Sequence, residues 1–384
     1  MDNLFFTDEH IMIRDMVREF ADTEITPVAR DLDEQGEFPT ALVNKMGELG
    51  LMGILIPEEY GGSGLDMVAF ATAIIELARA DASVAITMAA HTSLGSLPIL
   101  MFGSEEQKNT YLPKLATGEM LGAFGLTEPD AGSDAGATKT KAVRDGDEYV
   151  VNGGKIFITN AGKAGVLSFT SQVIENGKNL GIAAFSISTN TPGLEIGPKE
   201  KKMGWHASDT RQLFFKDMRI KATSMLGTPT NGFKTFLKTL TSGRVSIGAL
   251  SIGTALGAYE RALAYSTERI AFGKPIHNFQ SVGFKLADMA TKIEASKLLV
   301  FHAAWMKDQG LDITKEAAMA KLFASETAME VTTEAIQIHG GYGYVKEYDV
   351  ERFFRDAKIL EIGEGTSEIQ RLIISREILK EIQI

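Results

Sequence analysis

The order of the secondary-structure signals constrains this chain more than any other feature of its sequence. Between about residues 121 and 230, short alternating or β-branched runs such as EYVVNG, KIFITN and GIAAFSIS are separated by Gly, Asn and Asp, which is typical of strands joined by turns. The residues on either side show helical periodicity instead. We therefore predict an α+β fold of three domains: an N-terminal helical domain over 1–120, a middle antiparallel β-barrel or sandwich over 121–230, and a C-terminal helical domain over 231–384.

Apolar residues recur at helical spacing in both flanking regions. In the first region, Thr7 is a suitable N-cap for a helix, and a second run over 66–80 carries apolar residues on one face. In the last region, residues at spacings of three and four are apolar, namely Val282, Leu286, Met289 and Ile293. An alanine-rich run follows them, and small side chains let helices approach closely. We therefore predict a C-terminal helical bundle.

Composition and charge argue against several classes of protein. The 384 residues are 44% hydrophobic and 23% charged, as in globular domains, and the absence of cysteine excludes disulfides and a cysteine nucleophile. The net charge of -11, without a compensating run of Lys and Arg, disfavours nucleic acid and anionic lipid as partners. The N-terminus does not resemble a signal peptide, and we expect no window with the ~18 apolar residues of a membrane span.

Several common catalytic motifs are missing. No GxGxxG follows a predicted strand, and none of the Gly-Lys pairs is followed by the Ser or Thr of a P-loop. The six histidines have no pair at the helical spacing of zinc ligands, and no GxSxG motif is present. These absences disfavour a Rossmann site, a zinc site and a serine hydrolase of the common type.

Two segments of the β region could bind a ligand. The loop LGAFGLTEPDAGSDAG, residues 121–136, offers backbone N–H groups and hydroxyls to a planar polar group or a phosphate, although Pro, Asp, Gly and Ser also make ordinary surface turns. The run KIFITNAG, residues 155–162, ends an apolar strand in polar groups, and a plain buried strand would have the same pattern.

Two further candidate segments lie in the C-terminal region. In ERIAFGKPI, residues 268–276, Arg269 could clamp a pyrophosphate or simply complement the dipole of the preceding helix, which Phe272, Gly273 and Pro275 end. In GEGTSEIQR, residues 363–371, the glycines predict a tight turn, and we expect Ser367 to cap the next helix with Gln370 as its capping-box partner. This cap leaves unexplained why an acid, Glu364, stands between the two glycines.

Taken together, AFGLTEPDAGSD, KIFITN, ERIAFGKPI, QIHGGYGY and EGTSEIQR resemble, in the same order and across the whole chain, the motifs of the acyl-CoA dehydrogenase family, and most closely those of its short-chain members. The resemblance implies the three-domain fold of this family with a C-terminal four-helix bundle, bound FAD, and α,β-dehydrogenation of an acyl-CoA thioester. It implies FAD contacts in the order of the motifs, at Phe124, Leu126, Thr127, Gly132, Ser133, Phe157, Ile158, Thr159, Arg269, Phe272, Gln280, Gln337, Gly340, Gly341, Thr366 and Glu368.

The same resemblance assigns substrate contacts and the catalytic base. Substrate contacts fall on Ser133, Thr241, Arg244 and Gly365, with Arg244 expected at the CoA phosphates. Glu364 would remove the α-proton while the β-hydrogen leaves as hydride to flavin N5. Some relatives carry the base where this chain has Gly243, which has no side chain to serve.

The chain departs from the family pattern at two positions. Gly363 stands where most relatives have tyrosine, and Thr241 where many have aspartate. We therefore expect a short but branched or alicyclic acyl group in place of straight butyryl. A desulfinase or oxidase relative and a catalytically silent flavin-binding protein are the alternative hypotheses, although the retained Glu364 argues against the silent one.

The resemblance also implies partners and a location. The family pattern predicts an electron-transfer flavoprotein as acceptor and a homotetramer built as a dimer of dimers, because the segment Gln337 to Gly341 would complete the FAD site across a subunit interface. It is consistent with a cytoplasmic protein or a mature mitochondrial matrix form.

Overall fold

The computed structural model describes residues 2–228 and 232–382. Within them the chain forms helices, then a mixed β-sheet, then helices again, as the sequence predicts. The sheet lies between residues 121 and 226, and the long C-terminal helices begin at Gly232. The middle and C-terminal boundaries expected at 121 and 231 therefore lie close to changes of secondary structure.

The N-terminal region is entirely helical and turn-like. Thr7 caps the second helix by accepting a hydrogen bond from the His10 N–H, and Asp66 caps the fifth by accepting one from the Ala69 N–H at 2.8 Å. Except for Arg79, every residue of the fifth helix is buried, so it is a core helix rather than the one-faced helix expected. The helices are α1 (Asp2–Phe5), α2 (Asp8–Phe20), α3 (Ala29–Gln35), α4 (Thr40–Glu48), α5 (Met67–Ala80), α6 (Ala82–Ala90), α7 (Leu97–Phe102) and α8 (Glu105–Ala116).

The middle region is built around one mixed sheet. Its strands are β1 (Leu121–Gly125), β2 (Lys141–Asp145), β3 (Glu148–Thr159), β4 (Ala164–Glu175), β5 (Lys178–Ser188), β6 (Leu194–Lys199), β7 (Thr210–Lys221) and β8 (Met225–Leu226). They are ordered β6-β7-β3-β2-β4-β5-β8, with β1 paired to β4 off this path. Most pairings are antiparallel as expected, but β1 and β2 both run parallel to β4. Alternation within a strand does not reveal its neighbour's direction, so these two parallel pairings depart from the antiparallel domain that the sequence predicts.

Long helices form the C-terminal region, namely α9 (Gly232–Glu268), α10 (Gln280–Asp308), α11 (Thr314–His339), α12 (Val350–Ala357) and α13 (Ser367–Ile382). A small hairpin of β9 (Ile270–Ala271) and β10 (Lys274–Pro275) follows α9. Phe272 and Gly273, at its tip, have φ of 50° and 79°, the left-handed pair that a tight hairpin requires.

The two helical regions share one hydrophobic core. It includes Phe70 and Ile74 of α5 together with Leu250 of α9 and Val331 of α11, whereas the sheet has a separate core. Close approach is required at Gly253 of α9, where an added Cβ would lie 2.4 Å from the Ile75 carbonyl oxygen. Helix α5 of the N-terminal region therefore packs closely against the long helix α9, which carries part of the site described below.

One helical stretch passes the length and composition test for a membrane span, contrary to our expectation. It runs over Ala82–Phe102, through α6, a π-helical turn at His91–Ser96 and α7, and 83% of its most apolar window is buried. Buried core helices pass the same length and composition test, and here the stretch belongs to the packed interior.

Candidate active site

Glu364, the acid between two glycines, lies in a turn between a 3₁₀ helix, Lys358–Glu361, and α13. Glu364 itself has a φ of 53°, and Gly365 has a φ of 98°. A left-handed conformation is uncommon for a residue with a Cβ and is frequent at functional sites. The turn is therefore shaped at Glu364 as well as at the glycine that follows it.

The cap of α13 differs from the one that the sequence predicts. Thr366, not Ser367, is the N-cap, and its Oγ1 accepts the Ile369 N–H at 3.3 Å. The Gln370 amide does not close a capping box but donates to the Gly365 carbonyl oxygen at 2.8 Å and to that of Glu364 at 3.4 Å. Thr366 and Ser367 are adjacent and both residue types are found as N-caps, so the sequence alone leaves the register open by one residue.

The Glu364 carboxylate points into the protein. Its Oε2 atom is buried and has no hydrogen-bond partner among the described residues. An added Cβ at Gly243 of α9 would lie 2.0 Å from this oxygen and 3.4 Å from Leu94 Cδ2. Burial raises the pKa of Glu364 to about 7, and the charges of Lys321 and Arg244 oppose that rise. The missing side chain at 243 thus makes the space that the carboxylate fills.

Arg244 is a buried cation beside this acid. It is 6% exposed, its Nη1 donates to Thr241 Oγ1 at 3.4 Å, and its Nε has no partner among the described residues. Burial lowers the pKa of Arg244, and the negative charge of Glu364 raises it. The expected role at the CoA phosphates does not fit this burial, because a phosphate needs an accessible guanidinium. Thr241, one turn earlier on α9, is partly exposed.

An apolar cluster adjoins the carboxylate through Leu94. It joins residues of the first candidate loop to α9, and Phe124 stacks on Phe236 with ring centroids 4.1 Å apart. Leu126 and Leu240 pack against the same cluster. The structure thus brings the start of the 121–136 loop to the environment of Glu364.

A buried ion pair that the sequence analysis missed fixes the rest of this loop. Lys155 Nζ donates to Glu128 Oε1 at 2.7 Å and to the Leu126 carbonyl oxygen at 3.1 Å. Lys155 has no exposed surface and Glu128 is 5% exposed. The Lys155 charge and its hydrogen bond, with others from Thr138 and Lys139, outweigh burial and hold the pKa of Glu128 at about 2. Burial lowers the pKa of Lys155 to about 8.

The loop and the end of β3 face each other across a backbone hydrogen bond. The Ile156 N–H donates to the Thr127 carbonyl oxygen at 2.9 Å. Beyond it, Phe157 has a φ of 61° and is 63% exposed, Ile158 is buried, and Thr159 is partly exposed. Gly132 and Ser133 are exposed on the loop. The predicted contacts on these two segments are therefore neighbours, and an exposed aromatic ring stands next to them.

The remaining predicted contacts lie elsewhere on the protomer. Arg269, Gly340 and Gly341 line a cavity of about 680 Å³ together with aromatic side chains, and the Arg269 guanidinium lies 5.6 Å from the centre of the Tyr342 ring. This cavity does not include Glu364 or the loop residues. Phe272, Gln280 and Gln337 are also exposed. Thr366 and Glu368 differ from these, because they lie at the start of α13, directly after the Glu364 turn. Within one protomer the predicted FAD contacts therefore form separate groups.

His91, in the π-helical turn after α6, is a core histidine. It has no exposed surface, its Nδ1 accepts the Gly122 N–H at 3.1 Å, and its Nε2 bonds the Leu115 carbonyl oxygen at 3.0 Å. Burial lowers its pKa to about 4, so the ring is neutral.

Comparison with known proteins identifies the family. The acyl-CoA dehydrogenase N-terminal, middle and C-terminal domain models match residues 7–119, 123–218 and 230–379. The chain is 54% identical over 380 residues to the probable acyl-CoA dehydrogenase YngJ of Bacillus subtilis, covering 98% of this chain and 100% of that protein. It is 46% identical to the short-chain specific acyl-CoA dehydrogenase of Clostridium acetobutylicum, with 97% and 99% covered, and 47% identical to the acryloyl-CoA reductase (NADH) of Anaerotignum propionicum, with 97% and 95% covered.

Solved structures agree with these sequence relatives. Butyryl-CoA dehydrogenase from Megasphaera elsdenii superposes with a TM-score of 0.94 at 44% identity, covering 97% of this chain and 98% of that one. A chain from work on the electron transferring flavoprotein of Acidaminococcus fermentans and flavin-based electron bifurcation superposes with a TM-score of 0.95 at 46% identity, with the same coverage. The whole chain is thus matched in sequence and in fold, and it belongs to the acyl-CoA dehydrogenase family of FAD-dependent oxidoreductases.

Proposed function

We propose that Glu364 removes the α-proton of a short-chain acyl-CoA thioester, and that this acyl group is branched or alicyclic. The observation that carries the proposal is the Glu364 Oε2 atom, which is buried in the space left by Gly243 and has no hydrogen-bond partner in the described part of the chain. A buried carboxylate that bonds no protein donor is costly unless a ligand uses it.

The protonation behaviour of Glu364 suits a base that works near neutral pH. A carboxyl with a pKa of about 7 binds a proton more tightly than a free side chain of about 4.3, yet it is half ionised at pH 7. Arg244 and Lys321 supply buried positive charge beside the position where the thioester would develop enolate character. Such fixed charges stabilise the negative charge of a transition state without reorganising.

The backbone of Glu364 supports a matching role in binding the thioester carbonyl. Among the described residues, its N–H donates to no protein acceptor, whereas the Gly363 N–H before it bonds the Ile359 carbonyl oxygen at 2.7 Å. A free N–H beside the carboxylate could donate to the thioester oxygen while the carboxylate faces the α-carbon. A donor at that oxygen would make the α-proton more acidic.

The residues present fit FAD in two regions. The exposed loop around Gly132, where an added Cβ would meet nothing within 4 Å, and the exposed Phe157 ring offer a flat surface for the flavin. Arg269, Gly340 and Gly341 line the separate cavity, suited to a diphosphate and adenosine. When bound, FAD supplies the acceptor for the β-hydrogen, which leaves as hydride to flavin N5. We assign the remaining predicted FAD contacts to the same two regions.

The substrate proposal rests on Gly363. This residue is partly exposed, and an added Cβ would meet only the Ile359 backbone oxygen at 3.4 Å and its Cγ1 at 4.0 Å. A side chain would therefore fit, and its absence leaves room beside Glu364 for a bulkier acyl group. The short-chain and butyryl-CoA relatives support a small acyl group overall.

We further propose an electron-transfer flavoprotein as acceptor and a homotetramer as the assembly. The structural relative from work on an electron transferring flavoprotein supports the acceptor. The separation of the predicted FAD contacts within one protomer supports shared sites, because a partner subunit could bring the second group to the first. Native mass spectrometry of the FAD-bound protein tests the assembly, and a dimer or monomer would contradict it.

A reductive reaction is the second candidate. The relative named acryloyl-CoA reductase (NADH) is 47% identical to this chain. A carboxyl with a pKa of about 7 can also donate a proton at neutral pH, so the same residue could act as an acid in the reverse direction.

The test is anaerobic flavin bleaching by a panel of straight, branched and alicyclic acyl-CoA thioesters. We expect a branched or alicyclic substrate to bleach the wild type most strongly, and Glu364→Gln to bind FAD but not to bleach with any substrate. Glu377→Gln, which removes an acid on the same helix α13, is the matched control and should bleach normally. Undiminished bleaching in E364Q would refute the base, and bleaching by butyryl-CoA alone would refute the bulky substrate.

A further inference from the structure

Lys321 of α11 is a buried cation that has no ion pair with any residue that the structure describes. It has no exposed surface, and within the described residues its Nζ lies within 4.0 Å of no carboxylate. Its Nζ donates a hydrogen bond to the Gly365 carbonyl oxygen at 2.8 Å. Burying an ammonium group with one neutral acceptor is unfavourable, and such groups cluster at functional sites.

The accepting carbonyl belongs to the turn that carries Glu364. Gly365 follows the acid directly, and its backbone has a φ of 98° after the left-handed Glu364. The same oxygen also accepts the Gln370 amide at 2.8 Å. Lys321 and Gln370 thus hold the Gly365 peptide from two helices, and the conformation of Glu364 is fixed with it.

The hydrogen bond alone does not explain a lysine. Gln370 shows that a neutral amide reaches the same oxygen at the same distance, so a neutral donor would suffice to hold the turn. What lysine adds is charge. The charged groups acting on it are Glu364 in the turn, Glu361 in the preceding 3₁₀ helix, Arg244 of α9 and Glu326 of α11.

We propose that Lys321 is a positioning residue for the base: its ammonium group fixes the Gly365 carbonyl and favours the ionised form of the Glu364 carboxylate. This inference rests on the proposed function of Glu364. Lys321 is the largest influence that opposes the burial of Glu364 and so lowers the pKa of that acid, and burial in turn lowers the pKa of Lys321 to about 8. Removing the lysine should therefore raise the pKa of Glu364 above about 7.

The experiment measures the pH dependence of proton removal separately from hydride transfer. Acetyl-CoA has an α-carbon but no β-carbon, so exchange of its α-hydrogens with D₂O on the FAD-bound protein reports the base alone. In the wild type, exchange should fall as the pH drops through about 7, because the base must be ionised. In Lys321→Met this acidic limb should move up by about 1 pH unit, as loss of a nearby opposite charge predicts.

The size of the effect follows from that shift. At pH 7 about a tenth of the carboxyl would be ionised instead of about half, so exchange should fall about fivefold and recover above about pH 9. Lys321→Arg retains the charge and should return the limb close to that of the wild type. If K321M does not fold, Lys321→Gln removes the charge with a smaller change in polarity and gives the same comparison.

The matched control is Lys202→Met. Lys202 also has a pKa lowered by burial to about 8 and donates to a backbone carbonyl, that of Ser208 at 2.7 Å, but it is not among the charges acting on Glu364. K202M should leave the limb in place. A K321M protein that is slower at every pH with an unmoved limb would overturn the proposal and leave only a structural role. Exchange retained in E364Q would instead refute the base itself, so the two failures are distinguishable.

Discussion

Replacing Gly243 by alanine tests whether the space at this position serves the carboxylate. The added Cβ would lie 2.0 Å from Glu364 Oε2, whereas real Cβ contacts under 3.0 Å are essentially never found. The carboxylate must therefore retreat by about 1 Å, and a misplacement of about 1 Å at a reacting group lowers the rate on the order of 10²-fold. That factor is about 2.7 kcal/mol of activation free energy.

Stability should not fall in parallel with the rate. An alanine in a helix interior is favoured over glycine by about 1 kcal/mol, which offsets the strain of moving one flexible side chain. G243A should therefore keep the wild-type melting temperature to within a few degrees and retain its FAD. A loss of rate without a loss of stability separates displacement of the base from damage to helix α9.

The assay is α-hydrogen exchange of acetyl-CoA at pH 8, with flavin bleaching by the best acyl-CoA substrate alongside. Gly248→Ala is the control on the same helix, since its Cβ would crowd Val300 Cγ2, at 2.8 Å, and not the Glu364 carboxylate. We expect exchange about 100-fold slower in G243A and within about twofold of wild type in G248A. Exchange within twofold of wild type in G243A would refute the idea that this glycine makes room for a working base.

Two further predictions concern the loop that Lys155 and Glu128 hold, and the space beside Glu364 at Gly363. Lys155→Met leaves the buried Glu128 without its cation, so the free energy of unfolding, measured in urea by circular dichroism, should fall by about 3–5 kcal/mol. FAD should also dissociate more readily from the loosened loop. An unchanged unfolding midpoint would contradict this prediction. Gly363→Tyr should lower kcat/KM for branched or alicyclic acyl-CoA by at least about tenfold while sparing butyryl-CoA, because the side chain occupies the space beside Glu364; an equal loss for both substrates would contradict the specificity role.

Local patterns in the sequence predicted most of the fold. Helical spacing located α5 and α10, and alternation located β3 and β5, because these signals depend on residues a few positions apart. The pairing of β1 and β2 alongside β4 was not predictable, since strand direction depends on the path of the chain between strands. The cap at Thr366 was missed by one residue for a local reason: two adjacent hydroxyl residues both satisfy the cap pattern.

The site was predictable where motifs carry it and obscure where distant residues meet. The turn at Glu364 and the loop at Thr127 lie in recognisable motifs. Lys321, by contrast, is one of two lysines in the alanine-rich helix α11, and lysines usually extend to solvent. The sequence shows Gly243 only as a residue that cannot act as a base. Its contact with Glu364 joins helix α9 to the turn before α13, which is far away in sequence. Only the folded chain therefore reveals why residue 243 has no side chain.

The basicity of Glu364 results from two opposed effects of the fold. Burial alone would push the pKa of this acid above the neutral range and keep it protonated, whereas full pairing with a cation would depress the pKa and leave a weak base. Within the described residues, neither Arg244 nor Lys321 donates a hydrogen bond to the Glu364 carboxylate, so their charges oppose burial only in part, and the pKa of Glu364 stays at about 7. A proton can then be taken up or released at neutral pH with little free-energy cost in either direction. With Glu364 as the proposed base, we therefore expect the electron partner and the acyl group, rather than the acid itself, to set the direction of the reaction.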